Sequence, residues 1–152
     1  MTSHVVTLGT AEPIPLAAVR REVPRSAVYD AVIGAPIWGL AEARGIPLLM
    51  RTVVIFHGSR YPADDTIVTL DVGLAVAEPF ESDLQLQSIA TPSGRTAEAT
   101  LVGDYERLPE VHHAIAQWCA AHGHVPTGVN WEIVTWHEEP EKRFTKVYYL
   151  LE

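Results

Sequence analysis

A duplication constrains this fold more than any other feature of the chain. Gly45 and Gly123 each close a helical region, and they stand 78 positions apart. Glycine at such an end adopts the left-handed backbone that stops a helix. Sliding the first half along by that offset, without gaps, sets Leu16–Val23 on Gly94–Leu101, Ile37 on Ile115, Ala43 on Ala121 and Arg51–Gly58 on Val129–Trp136. Few residues are identical, but the order and the ends of the elements agree. Each half reads strand, helix, strand, strand. The fold class that follows is α+β, with two pseudo-twofold repeats over about 5–80 and 84–152 in one domain, 1–152. The repeats pair into a mostly antiparallel sheet. Helices cover one side, and a central ligand cleft opens on the other, where two walls exclude water.

The elements themselves follow from local patterns. Arg51–His57, Thr66–Val76, Val129–Trp136 and Phe144–Leu151 are β-rich runs, and Gly58–Asp65 is a turn-rich loop. Val5–Leu8 and Leu84–Thr91 read as strands added to the repeat plan. In the first helical region Ser26 is the N-cap, Gly34 and Pro36 impose a break, and Val28, Val32, Trp38 and Ala41 suit a buried face. Pro109 suits the first turn of the second helix, and Val111, Ile115, Trp118 and His122 form one stripe.

Composition removes several function classes. Acidic residues outnumber basic ones 19 to 11, the net charge is −8, and no Lys/Arg cluster exists to meet phosphates. Nucleic acid by itself and membrane surfaces are therefore not expected partners. The N-terminus has no cationic start, no apolar run nears the roughly 18 residues of a membrane span, and Cys119 is a single thiol. These features predict a cytoplasmic protein, as monomer or homodimer. His112-His113, His122, His124 and His137 lack zinc or iron spacing, so no metal and no cofactor is expected. There is no phosphate-binding glycine loop and no nucleophile elbow.

The strand Asn130–Trp136 holds the oddest residue, a carboxylate amid apolar neighbours. Alternation points Glu132 with Val134 and Trp136, and Trp131 with Ile133 the other way. Buried, Glu132 must be paired, protonated or solvated; exposed, it is an ordinary residue of an open sheet face. The repeat sets Val54 at the matching position, so duplication does not require an acid there. In a cleft, Glu132 either holds a cation among aromatic faces or serves as a general acid or base. Tyr105, at a strand-to-helix corner, is the candidate to join it. Tyr148 and Tyr149 face opposite ways, so one of them lines the cleft.

The chain resembles the GyrI-like small-molecule-binding family, also called the bacterial transcription-activator effector-binding domain. The resemblance runs from about Val5 to Leu151. It rests on Trp38 with Ala43-Arg44-Gly45-Ile46, on Asp71–Val76, on Gly103–Pro109 and on Trp131-Glu132. It implies a cleft in which Glu132 sits among aromatics. The expected ligand-binding set is Glu132, Trp136, Phe56, Trp38, Tyr105, Tyr149, Val134 and Val54. The expected partner is a small hydrophobic or cationic molecule. Some relatives resemble hydrolases that open cyclopropane rings of DNA-alkylating natural products, which gives Glu132 and Tyr105 catalytic roles in a detoxification reading. A third reading is a protein-interaction or inhibitor module. Phe56 and Val134 stand where the family pattern often has tyrosine, and Met50 stands for a glycine at the expected cleft mouth.

Overall fold

Runs rich in Val, Ile, Leu and Thr pair into one eight-stranded antiparallel sheet among the residues that the computed structural model describes, 4–152. Residues 1–3 of the N-terminal segment behind the localisation argument lie outside them. The strands are β1 (Thr7–Ala11), β2 (Pro15–Pro24), β3 (Leu48–His57), β4 (Ile67–Val76), β5 (Gln87–Ala90), β6 (Gly94–Val102), β7 (Pro126–Thr135) and β8 (Phe144–Leu151). The helices are α1 (Val28–Gly34), α2 (Ile37–Ala43) and α3 (Leu108–His122). Among these residues, no helix is long and apolar enough to cross a membrane.

The spatial strand order is β1-β6-β8-β7-β3-β4-β2-β5. The second half contributes β6-β8-β7 and the first contributes β3-β4-β2, and they meet where β7 pairs antiparallel with β3. In that pairing Val54 lies opposite Glu132. These two residues are also 78 positions apart, so each is both the cross-strand partner and the repeat equivalent of the other. The pseudo-twofold axis therefore passes between them. The two extra strands are exchanged: β1 of the first half pairs with β6, and β5 of the second half pairs with β2. They use Thr7–Ala11 and Gln87–Ala90, shifted from the expected Val5–Leu8 and Leu84–Thr91, and Leu84 is fully exposed.

Both helical regions end the same way. Gly45 (φ 68°) and Gly123 (φ 72°) are left-handed. Ile46 N–H donates to Ala41 O at 3.0 Å, and His124 N–H donates to Cys119 O at 2.9 Å, the same bond 78 residues on. The regions differ in continuity. Ala35 is extended ahead of Pro36, as a residue before proline prefers, and this splits α1 from α2. α3 runs unbroken for 15 residues with proline in its first turn.

Three local expectations are corrected. Ser26 does not cap a helix; it lies in a 3-10 turn, where its N–H and hydroxyl donate to Asp65. The buried stripe of α3 is Leu108, Val111, His112, Ile115 and Cys119, whereas Trp118 is half-buried and His122 exposed. The cleft is not on the helix-free side. Val19, Val54 and Val72 pack under α1 and α2, Val147 packs under α3, and these residues share one sheet face with Glu132. The opposite face is filled by Leu16, Val53, Ile55, Ala75, Trp131 and Ile133, with Tyr148 stacked on Trp131 at 5.3 Å. The opening lies between α1 and the start of α3, because two helical layers on one face leave a gap along the axis.

Candidate functional site

Glu132 sits at the base of that gap, 4% exposed. Removing a carboxylate from water costs several kcal/mol unless charge and hydrogen bonds meet it. Two side chains do so. His112 Nε2 is hydrogen-bonded to Oε2 at 2.7 Å, and Arg60 Nε forms an ion pair with the same oxygen at 3.7 Å, its buried N–H without a hydrogen-bond partner among the described residues. His112 Nδ1 lies 2.5 Å from Tyr149 Oη. An ionised carboxylate only accepts, so Nε2–H donates to Glu132, and Nδ1 accepts from the Tyr149 hydroxyl. One imidazole thus bridges Tyr149 and Glu132. Burial, reinforced by the charge of Glu132, pushes the Tyr149 phenol well above its ordinary value, which keeps the donated proton in place.

Arg60 comes from the loop after β3. Asn130 Nδ2 donates to Gly58 O at 2.9 Å, and Gly58 N–H donates to Gly128 O, which fixes the start of the loop. At the far end Arg25 binds Pro62 O and Thr66 O, and Asp65 accepts from Ser26. Between these anchors the Arg60 guanidinium lies 4.4 Å from the Tyr61 ring centroid and 5.0 Å from that of Phe56. Such contacts are worth about 0.5–2 kcal/mol each. Burial pushes the Tyr61 phenol up to about 12 against the pull of Arg60.

The cleft above Glu132 encloses about 730 Å³. Thr52, Val54, Val134 and Glu132 form its floor, Tyr29, Val32 and Ile33 of α1 one wall, and Tyr105 and Leu108 the other. Tyr29, Ile33 and Trp136 are exposed apolar lips, Trp136 with Arg143 at 5.2 Å from its ring. The Tyr105 hydroxyl is buried with no hydrogen-bond partner among the described residues. Burial raises its pKa too.

Of the residues expected at a site, Glu132, Trp136, Phe56, Tyr105, Val134 and Val54 come together here. Tyr149 does not line the cleft; it stands behind His112. Trp38 is not in it either. The break at Pro36 restarts the helix so that Ile37 and Ala41 face the core, leaving Trp38 54% exposed on α2. Met50 is exposed on β3 and forms no part of the lining. Three members escaped the sequence reading: His112, Arg60 and Tyr61. His112 had a readable signal, since it lies among Leu108, Val111 and Ile115 on the apolar side of α3. Arg60 and Tyr61 had none, because their loop shows only turn composition.

A second polar cluster lies on the opposite sheet face. Arg20 donates to both oxygens of Asp71 at 2.9 and 3.0 Å, and His57 Nε2 is 2.7 Å away. Burial pushes the Asp71 carboxyl up, but Arg20 and His57 outweigh it and hold it below the usual range.

No protein-family model and no curated protein matches the sequence. Solved structures do match. The EcmrR C-terminal domain superposes with a TM-score of 0.83 at 14% identity over 99% of both chains. In a complex of EcmrR with DNA, the match covers 98% of this chain but 57% of that one, with a TM-score of 0.81 at 15% identity. SAV2435 bound to tetraphenylphosphonium matches with a TM-score of 0.62 at 12% identity, over 97% of this chain and 94% of that one. A hydrolase from Listeria innocua matches with a TM-score of 0.64 at 9% identity, over 97% and 91%.

Proposed function

We propose that this chain, which has the GyrI-like effector-binding fold, binds a small hydrophobic aromatic molecule in the cleft between α1 and α3. The observation that carries the reading is the cleft itself: about 730 Å³ with apolar lips and a single buried carboxylate at its base. Mostly apolar walls with a few fixed polar groups suit ligands of that size. The tetraphenylphosphonium held by SAV2435 is an aromatic cation bound by a protein of the same fold, which supports an aromatic ligand here and leaves its charge to be set by this cleft. Saturable quenching of tryptophan fluorescence by aromatic compounds tests the reading, since Trp136 stands at the mouth. Val134→Trp, which fills the floor, lowers affinity at least tenfold; undiminished binding by that variant places the ligand elsewhere.

A second reading, hydrolysis, draws on two features of the same cleft. Glu132 has a fixed hydrogen-bond chain behind it, and the Tyr105 hydroxyl is buried and unpartnered. In that reading Tyr105 orients a water, and Glu132 takes its proton as the oxygen bonds to a carbon of the strained ring. The ring C–C bond breaks, and the departing carbon keeps the electron pair and takes up a proton, returned by Glu132 or from solvent. Turnover of a strained electrophile such as a cyclopropane, lost in Glu132→Gln with binding retained, selects the hydrolase. Binding without turnover selects the receptor.

A further inference from the structure

We propose that Arg60 is a built-in cation that fills the subsite in front of Glu132, so that the cleft selects uncharged aromatic ligands over lipophilic cations. This rests on the binding reading above and names its ligand class.

The three parts of a cation site are present: one buried carboxylate and two aromatic rings. All three are already engaged by the chain's own guanidinium. Arg60 Nε is 3.7 Å from Glu132 Oε2, and the guanidinium carbon is 4.4 and 5.0 Å from the Tyr61 and Phe56 rings. The Arg60 side chain is 14% exposed and lines the cleft. His112 Nε2 takes up the same carboxylate oxygen at 2.7 Å. The carboxylate at the floor is therefore already paired with a cation of the chain itself. An incoming cation meets no unpaired charge there; it meets Arg60 at close range, in surroundings where like charges are poorly screened. Binding it requires expelling Arg60 from a loop tied down at both ends by Asn130, Arg25 and Ser26. An uncharged ligand leaves the pair intact. A carbonyl or phosphoryl oxygen on such a ligand, placed at the floor, is a suitable acceptor for guanidinium N–H groups.

The test uses two probes of similar shape, cationic tetraphenylphosphonium and uncharged triphenylphosphine oxide, titrated calorimetrically into the wild-type protein, Arg60→Met, Arg60→Lys and Arg60→Met/Glu132→Gln. The wild type prefers the oxide. In Arg60→Met the ratio of affinities moves toward the cation at least tenfold, because Glu132 loses its guanidinium and keeps only the His112 contact. Arg60→Lys keeps the wild-type preference, and the double variant loses the gain. A wild type that prefers the cation overturns the proposal, even if Arg60→Met fails to fold. An Arg60→Met ratio equal to that of the wild type overturns it too. Absence of saturable binding of either probe by every variant removes the binding reading itself, and with it this proposal. Binding of both probes with an unmoved ratio removes only the role of Arg60.

Discussion

The two halves share a scaffold but not a chemistry. At the axis Glu132 of the second half faces Val54 of the first. His112, which holds Glu132, corresponds at the 78-residue offset to Gly34, where α1 ends. Tyr149 lies opposite Asn130 on β7, just as Leu74 lies opposite Thr52 on β3, so its counterpart is Leu74. The chain Tyr149–His112–Glu132 therefore maps onto Leu74, Gly34 and Val54. Backbone hydrogen bonds, glycine caps and strand register were kept in both copies, while the polar network exists in one. The difference shows that the duplicated framework does not require an acid at the axis, where the first half has Val54; its own buried acid, Asp71, lies on the opposite face. A carboxyl group buried there against its desolvation cost points to function.

The comparison breaks most sharply if the first half is given the second half's acid. Val54→Glu sets a second carboxylate directly opposite Glu132, whose own oxygen already occupies Arg60 and His112. It costs about 3 kcal/mol or more, which calorimetric melting reads as a fall of roughly 10 °C. The converse change, Glu132→Val, makes the axis symmetric but strands Arg60. It costs about 2 kcal/mol, less than the first because Arg60 and His112 each lose one partner, whereas the first change buries a second charge. Adding Arg60→Leu restores the share of the loss that the stranded guanidinium carries, while the buried His112 Nε2–H still lacks its acceptor. If Glu132→Val alone stabilises the protein, the ion pair contributes nothing to holding the loop.

How far the sequence reveals this asymmetry differs between scaffold and site. The offset aligned β3 with β7 and the helix ends because glycine caps and β-branched runs are local signals. The same periodicity put Glu132 on one face with Val134 and Trp136, and the structure keeps them there. It did not say which face the helices cover. Strand alternation has period two on either side, so the cleft was expected away from the helices. Trp38 was misplaced because a proline break resets helical phase. His112 was set aside as half of an adjacent histidine pair, although its place among Leu108, Val111 and Ile115 marked a buried polar side chain that needs a partner. Arg60 reaches Glu132 through a long loop, a contact no local pattern encodes.

Two smaller effects sharpen the comparison. Gly45→Ala and Gly123→Ala each force a left-handed backbone on a side chain and cost about 1 kcal/mol. Chemical denaturation should give equal losses, since the same hydrogen bond closes both helices; a clear inequality means the two ends are not equivalent. The smallest effect concerns Asp71, which the first half holds on the opposite face. Its carboxyl is depressed in the folded state, so its contribution is present above about pH 4, the ordinary aspartate value, and is lost as pH falls through the folded value. In Asp71→Asn that part of the acid-side slope of stability against pH disappears, whereas an unchanged slope means other groups dominate acid unfolding.

The central claim is that ligand binds on the axis, beside the carboxylate present in only one half. Amide chemical shifts followed by NMR during titration with triphenylphosphine oxide test it most directly. The account predicts saturable shifts along Thr52–Phe56, Asn130–Val134 and Tyr29–Ile33, with the strand positions of Arg20 and Asp71 unmoved. Shifts confined to Arg20 and Asp71, or none at all, contradict it.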